Sequence, residues 1–159
     1  MNSEIKSLRG LNEDQYSSIG RTVSLLTAIE YELFRTISAV AGVTEKETTK
    51  AARGTFDQRK TMLREKLTGD ARINSNSLNT LSKLDVASEL RSQFAHGLWV
   101  AEEGQLVCKF IKRHNRDDAN KHIALQTIHM SPEKFELIHR NLECILIELD
   151  VIQEQLGES

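Results

Sequence analysis

Seven apolar residues, Phe135, Ile138, Leu142, Ile145, Leu149, Ile152 and Leu156, recur at alternating steps of three and four over three heptads. A strand turns its side chains over every second residue, so it cannot place this set on one face; an α-helix can. Ser131-Pro132 marks the start of that helix: a side chain suited to cap the first N–H groups, then a proline whose missing N–H costs nothing at the first helical position. A helix with one long apolar stripe is held mainly by what covers it. The rest of the chain, or another copy of it, must therefore supply a matching surface.

Two further stretches have the same period. Residues Glu13 to Ala41 carry Ile19, Val23, Leu26, Ile29, Leu33, Ile37 and Val40, and Gly42 stops the run. Leu78, Leu81, Leu84, Ala87, Leu90 and Phe94 form the stripe of a third helix ending at His96-Gly97, with Asn74, Ser75, Asn76 and Ser77 as candidate caps in the polar loop before it. Between these two, Thr44-Glu-Lys-Glu47 has capping-box spacing and opens a second helix. Gly54 breaks or kinks that helix, whose continuation from Thr55 to Thr68 buries Phe56, Leu63 and Leu67. The interval after Gly97 reads differently. Leu98 to Ala101 and Leu106 to Ile111 flank a Glu102-Glu-Gly-Gln105 turn, which predicts a hairpin; Asn115 to Asn120 reads as a polar loop and Ile123 to Ile128 as a third short strand.

These elements predict an all-α class: an antiparallel four-helix bundle with a small β-hairpin inserted before the last helix. A chain of 159 residues suffices for one domain with an adequate core, with residues 1–12 as a loose leader. The 39% hydrophobic and 28% charged composition is that of a soluble globular protein, and no signal peptide or long apolar run appears, which predicts a cytoplasmic location and no membrane partner.

A net charge of −2 does not call for a polyanionic partner, and 5% aromatic residues argue against a base-stacking surface. The charge is uneven, however. Lys109, Lys112, Arg113, Arg116 and Lys121 face only Asp117 and Asp118 within 109–122, the segment from Lys46 to Lys66 is basic, and the last helix is acidic. The 109–122 bases are candidates for guiding a nucleic-acid backbone, or form a solvated loop. Cys108 and Cys144 lie in apolar surroundings and read as reduced core residues. His114, His122, His129 and His139 form no metal-ligand spacing, and glycine-rich phosphate loops and nucleophile-elbow motifs are absent from the sequence; no cofactor and no metal are expected.

Chemistry concentrates at Arg91-Ser-Gln-Phe-Ala-His-Gly97. Arginine is a permanent cation whose planar fork fits phosphate oxygens, and histidine changes charge near neutral pH and moves protons. Together they can handle a phosphate without a metal. Arg91 continues the apolar stripe seven residues after Leu84, so its charge must be paired, face a cleft or meet a ligand; Glu30, on the first helix among Leu26, Ile29 and Leu33, is a candidate partner, with Glu32 and Glu89 as others. His96 either works on a proton or caps the carbonyls of its own helix. Ser92 is a candidate hydrogen-bond donor to phosphate or a solvated helix residue, and Glu30 a second acid that orients Arg91 or His96 or a structural ion-pair member. Five positions separate Arg91 from His96, about 140° around an ideal helix, so one copy does not put them on a common face unless the last turn loosens and Arg91 curls; two copies about a two-fold axis could bring two of each to one cleft. Trp99 reads as an anchor between hairpin and helix.

The segment Val86-Ala-Ser-Glu-Leu-Arg-Ser-Gln-Phe-Ala-His-Gly-Leu-Trp99, closing a helix before strand-like sequence, resembles the HEPN superfamily of small all-helical nucleotide-binding domains. Its motif here is Arg91 and His96 with their flanks. The family often has Asn, Asp or His directly after the arginine, where this chain has Ser92, and one branch has a tyrosine two residues after the histidine, where this chain has Leu98. The resemblance implies a metal-independent endoribonuclease of a toxin-antitoxin or defence type, acting on single-stranded or loop RNA as a homodimer, with a cognate antitoxin protein as partner. It equally admits a catalytically inactive interaction or RNA-binding module. Under the first reading Arg91 and His96 are catalytic, Ser92 and Glu30 supporting, and Lys109, Lys112, Arg113 and Arg116 bind RNA.

Overall fold

The computed structural model describes residues 10–113 and 123–157. The polar loop expected at Asn115 to Asn120 lies outside them. Among the described residues the chain is mainly helical with a small antiparallel sheet: α1 (Glu13–Ala39), α2 (Glu45–Arg53), α3 (Phe56–Leu67), α4 (Ser75–His96), β1 (Leu98–Glu102), β2 (Gln105–Arg113), β3 (Ile123–Met130) and α5 (Pro132–Gly157). The expected hairpin is thus extended to a three-stranded sheet of order β1-β2-β3, with β3 two residues longer than its sequence pattern suggested. The described residues fall into two compact units, one within Met1–Val23 and Arg91–Ile138, the other within Ser24–Leu90 and His139–Ser159.

Helix ends follow from local chemistry. Thr44 and Glu47 form a full capping box on α2: the Glu47 carboxylate accepts from Thr44 N at 2.9 Å, and Thr44 Oγ1 accepts from Glu47 N at 3.3 Å. Thr55 and Gln58 repeat the device on α3, and Asn12 and Gln15 do the same at the start of α1. Gly54 does end α2, and α3 starts two residues on. Asn74 caps α4, its Oδ1 accepting from Ser77 N at 2.9 Å, and Ser131 Oγ accepts from Lys134 N at 3.2 Å on α5. Gly42, just past α1, takes φ 79°, a left-handed conformation that favours glycine.

Glu47 has a second partner, Lys66 at the end of α3, 2.6 Å away. The Lys66 hydrogen bond, then the Thr44 cap, bring its carboxyl from 4.5 down to about 2. A carboxyl lowered in the folded state adds stability that is present above its unfolded value and lost as pH falls through the folded one. Glu47→Gln should therefore lower the melting temperature at neutral pH. The gap to the parent protein should shrink between about pH 4.5 and 2, which thermal unfolding across that range would read.

The second unit is built on helix stripes. Leu26, Ile29, Leu33 and Ile37 of α1, Leu63 and Leu67 of α3, Leu81 and Leu84 of α4, and Leu142, Ile145, Leu149, Ile152 and Leu156 of α5 are all buried. Four of the positions expected in the helix stripes are not buried: Val23 and Leu78 are exposed, and Ile19 and Leu90 are half-buried. The α1 stripe instead runs through Thr22 and Thr36, whose hydroxyls donate to the carbonyls of Ser18 at 2.8 Å and Glu32 at 2.7 Å. A threonine that satisfies its hydroxyl on the preceding turn can be buried at small cost, so Thr22 takes the inward position and Val23, about 100° further round, turns out. Ser77 replaces Leu78 in the same way, its Oγ bonding Asn74 Oδ1 and Gln155 Oε1, each at 3.2 Å.

In the first unit, β1 and β2 are joined by a two-residue turn with Glu103 at φ 51° and Gly104 at φ 81°, both positive as a type I′ hairpin requires. Trp99 pairs in register with Cys108, and Cys108 with Ile128; Ala101 pairs with Leu106, and Leu106 with Met130. Directly paired residues point to one face, which collects Trp99, Leu106, Cys108, Phe110 and Met130, all buried. The Trp99 ring lies 4.5 Å from Phe94 and 6.3 Å from Phe135 between centroids, joining β1 to α4 and α5 as the expected anchor. Its indole Nε1, also buried, has no acceptor among the described residues.

Candidate functional site

Arg91, Ser92 and His96 lie on the last turns of α4, inside the first unit. Arg91 is half-buried, as its place in the stripe suggested, whereas Ser92 and His96 are exposed. The helix stays regular to its end: Gly97 N donates to Gln93 O at 2.7 Å, the four-residue step of an α-helix. The last turn does not loosen, so Arg91 remains about 140° from His96. Ser92, four residues before His96, does share its face. The structure therefore brings Ser92 and His96 to one exposed face and leaves Arg91 on another.

Gly97 fixes where this helix stops. A Cβ there would lie under 3.0 Å from both Gln93 O and Cys108 Sγ. The strand carrying Cys108 passes directly against the helix end, and its Sγ sits 3.9 Å from the Gln93 carbonyl. His96 is thus held on a rigid junction between α4 and β1 rather than on a loop.

Glu30 is in the second unit and half-buried, and it pairs with Arg59 of α3 at 2.9 Å. Arg59 also donates through Nε to Ala51 O at 2.7 Å and through Nη2 to Ala52 O at 2.9 Å, closing the end of α2. This ties Glu30 to α3, a non-local partner that sequence spacing could not reveal. Glu32 bonds Arg35 at 3.2 Å and Gln153 at 2.8 Å.

Lys109 is half-buried and forms an ion pair with Glu102 across the hairpin, so its charge is already matched. Lys112 and Arg113 occupy β2 opposite Ala124 and Ile123; Arg116 lies outside the described residues. The basic α2–α3 segment is largely balanced. Lys66 pairs with Glu47, and Lys60 sits between Asp85 at 2.7 Å and Asp57 at 3.0 Å, with Arg64 also on Asp85 at 3.3 Å. Burial opposes the Lys60 charge, but the two carboxylates outweigh it and raise its pKa.

The two cysteines part company. Cys108 is buried, and burial pushes its thiol up to about 11. Cys144, expected in the core, is exposed, because it falls on the side of α5 away from Leu142, Ile145 and Leu149. A thiol reagent at neutral pH should therefore titrate one fast group in the folded protein and two after denaturation. Two fast groups in the native state would contradict the packing of Cys108 against α4.

Among the described residues no group of three or more His, Cys, Asp or Glu side chains is placed to hold a metal ion, and no helix is long and apolar enough to cross a membrane. The chain matches no protein-family model, no curated protein and no solved structure.

Proposed function

We propose that this protein is a metal-independent endoribonuclease of HEPN type, acting on single-stranded or loop RNA in a toxin-antitoxin or defence setting. The observation that carries the reading is the exposed His96, with Ser92 on its face, fixed at a helix end by Gly97 and one turn from the half-buried Arg91. The ribose 2′-oxygen attacks the adjacent phosphorus as a base takes its proton. The P–O5′ bond breaks as an acid protonates the leaving oxygen, giving a 2′,3′-cyclic phosphate and a free 5′-hydroxyl. His96 suits both proton transfers and Arg91 the charge that builds on the phosphorane; Ser92 adds a hydrogen bond. The fold reading that accompanies this is an antiparallel bundle of four main helices with the strands inserted before the last.

Arg91 and His96 do not share a face within one copy, so the proposal includes a two-fold homodimer that brings two α4 ends to one cleft. A cognate antitoxin would cover that cleft. Incubation of the purified protein with unstructured RNA in EDTA tests the reading: fragments ending in a 2′,3′-cyclic phosphate are expected. Absence of cleavage, together with a mass in solution equal to one chain, would replace it with the second reading, an inactive interaction or RNA-binding module. The regular last turn of α4, which keeps the two side chains apart in a single copy, is what favours that second reading.

A further inference from the structure

A pocket of about 660 Å³ opens in the first unit, walled by the first turns of α1, the β1–β2 turn and the junction of β3 with α5. Arg91, Ser92 and His96 are not among its walls. Its floor is apolar: Leu106 and Met130, register partners on one face of the sheet, and Phe135 from the first turn of α5, all buried. Its rim carries Asp14, Gln105 and His129, all exposed. A cavity of this size with an apolar floor and a few polar groups at the mouth has the make-up of a small-molecule site.

The charges at the rim select the ligand. Asn12 and Gln15 also line the pocket, but they are engaged with each other, Asn12 N donating to Gln15 Oε1 at 3.0 Å and Gln15 N to Asn12 Oδ1 at 2.9 Å. Ser131 is engaged in capping α5, and beside it the carboxyl of Glu133 is drawn down by its own backbone N–H and then by the Ser131 side chain. The start of α5 thus already holds an anion of its own, and an anionic ligand would meet like charge there. Among the described residues Asp14 is the one acid in the lining, no lysine or arginine lines the pocket, and Asp14 forms no ion pair. From this lining we propose that the pocket binds a small organic cation, an amine with a compact apolar body: the body on Leu106, Met130 and Phe135, the ammonium on the Asp14 carboxylate. Gln105 and His129 supply hydrogen-bonding groups at the mouth.

Three probes with the same branched five-carbon skeleton separate the contributions: 3-methylbutan-1-amine, 3-methylbutan-1-ol and 3-methylbutanoate. Titrated into ¹⁵N-labelled full-length protein at neutral pH, the amine should give saturable shifts at the Gly104 and Leu106 amides. The alcohol should bind about 10-fold more weakly, because it lacks the charge-assisted bond, and the carboxylate weaker still. Asp14→Asn should bring the amine to the level of the alcohol while leaving alcohol binding unchanged, which separates loss of the charge from loss of the fold. Carboxylate binding equal to the amine, amine binding unchanged in Asp14→Asn, or no saturable shift with any probe would each overturn the proposal. None of these outcomes depends on whether the protein cuts RNA.

Discussion

His96→Ala and Arg91→Ala should each lower RNA cleavage by on the order of 10²-fold or more, with the helical circular-dichroism spectrum retained. The two losses should differ in kind. His96 is exposed at the last residue of α4 and its ring supports no packing that the core needs, so the alanine variant should melt close to the parent. Its loss removes proton transfer, and the deficit should appear in kcat, where both the 2′ proton and the leaving oxygen are served. Arg91 is half-buried, so its alanine variant should lose some melting temperature as well as activity. Arg91→Lys keeps a cation but not the planar fork, and should recover little cleavage if two phosphate oxygens are gripped together. If a composite dimer site operates, mixing the two inactive alanine variants should restore part of the activity, because mixed dimers regain one intact set of groups. Normal cleavage by both alanine variants would refute the assignment.

How much of this was legible in the sequence depends on the range of the interaction concerned. Helix boundaries set by side chains three residues away were readable: Thr44 with Glu47, Ser131 before Pro132, and the left-handed stop at Gly42. The boxes at Asn12–Gln15 and Thr55–Gln58 have the same spacing, spelled with glutamine, and were open to the same reasoning. The α5 stripe from Phe135 to Leu156 is buried at every position, because a long one-sided pattern leaves the helix one way to face. Short-range pattern fails where a polar residue hides its polarity. Thr22, Thr36 and Ser77 sit inside because local or side-chain acceptors satisfy their hydroxyls, and a hydropathy stripe passes over them to Val23 and Leu78. Pairings across the fold fail for a different reason. Arg59 is 29 positions from Glu30 and no periodicity links them, so the ion pair that ties Glu30 to α3 could not be read from the sequence. The candidate site shows both limits at once. Its residue types, the half-burial of Arg91 and the angle between Arg91 and His96 follow from the sequence, while the exposure of His96 and the close approach of Cys108 are tertiary facts.

That close approach makes Gly97→Ala the substitution with the largest expected effect on the fold. Gly97 is not needed for an unusual backbone conformation: the described positive-φ glycines are Gly42, Gly69 and Gly104, and each of those has open space where a Cβ would sit. At Gly97 the added carbon meets a backbone oxygen of its own helix and the sulfur of β2, neither of which is the far end of a flexible side chain. Overpacking of this kind costs about 1–3 kcal/mol and more when backbone must move. For a chain of this length about 3 kcal/mol corresponds to a fall of roughly 6–12 °C in melting temperature. Cys108→Ala removes one of the two obstacles, so Gly97→Ala with Cys108→Ala should melt above Gly97→Ala alone, a non-additivity diagnostic of direct contact. Gly20 is the internal control. It lies inside α1 with nothing within 4 Å of a Cβ, so Gly20→Ala should stabilise by about 0.5–1 kcal/mol through helix propensity. If Gly97→Ala melts like Gly20→Ala, the α4–β1 junction is looser than the contact of Cys108 with Gln93 implies, and His96 has no rigid mount.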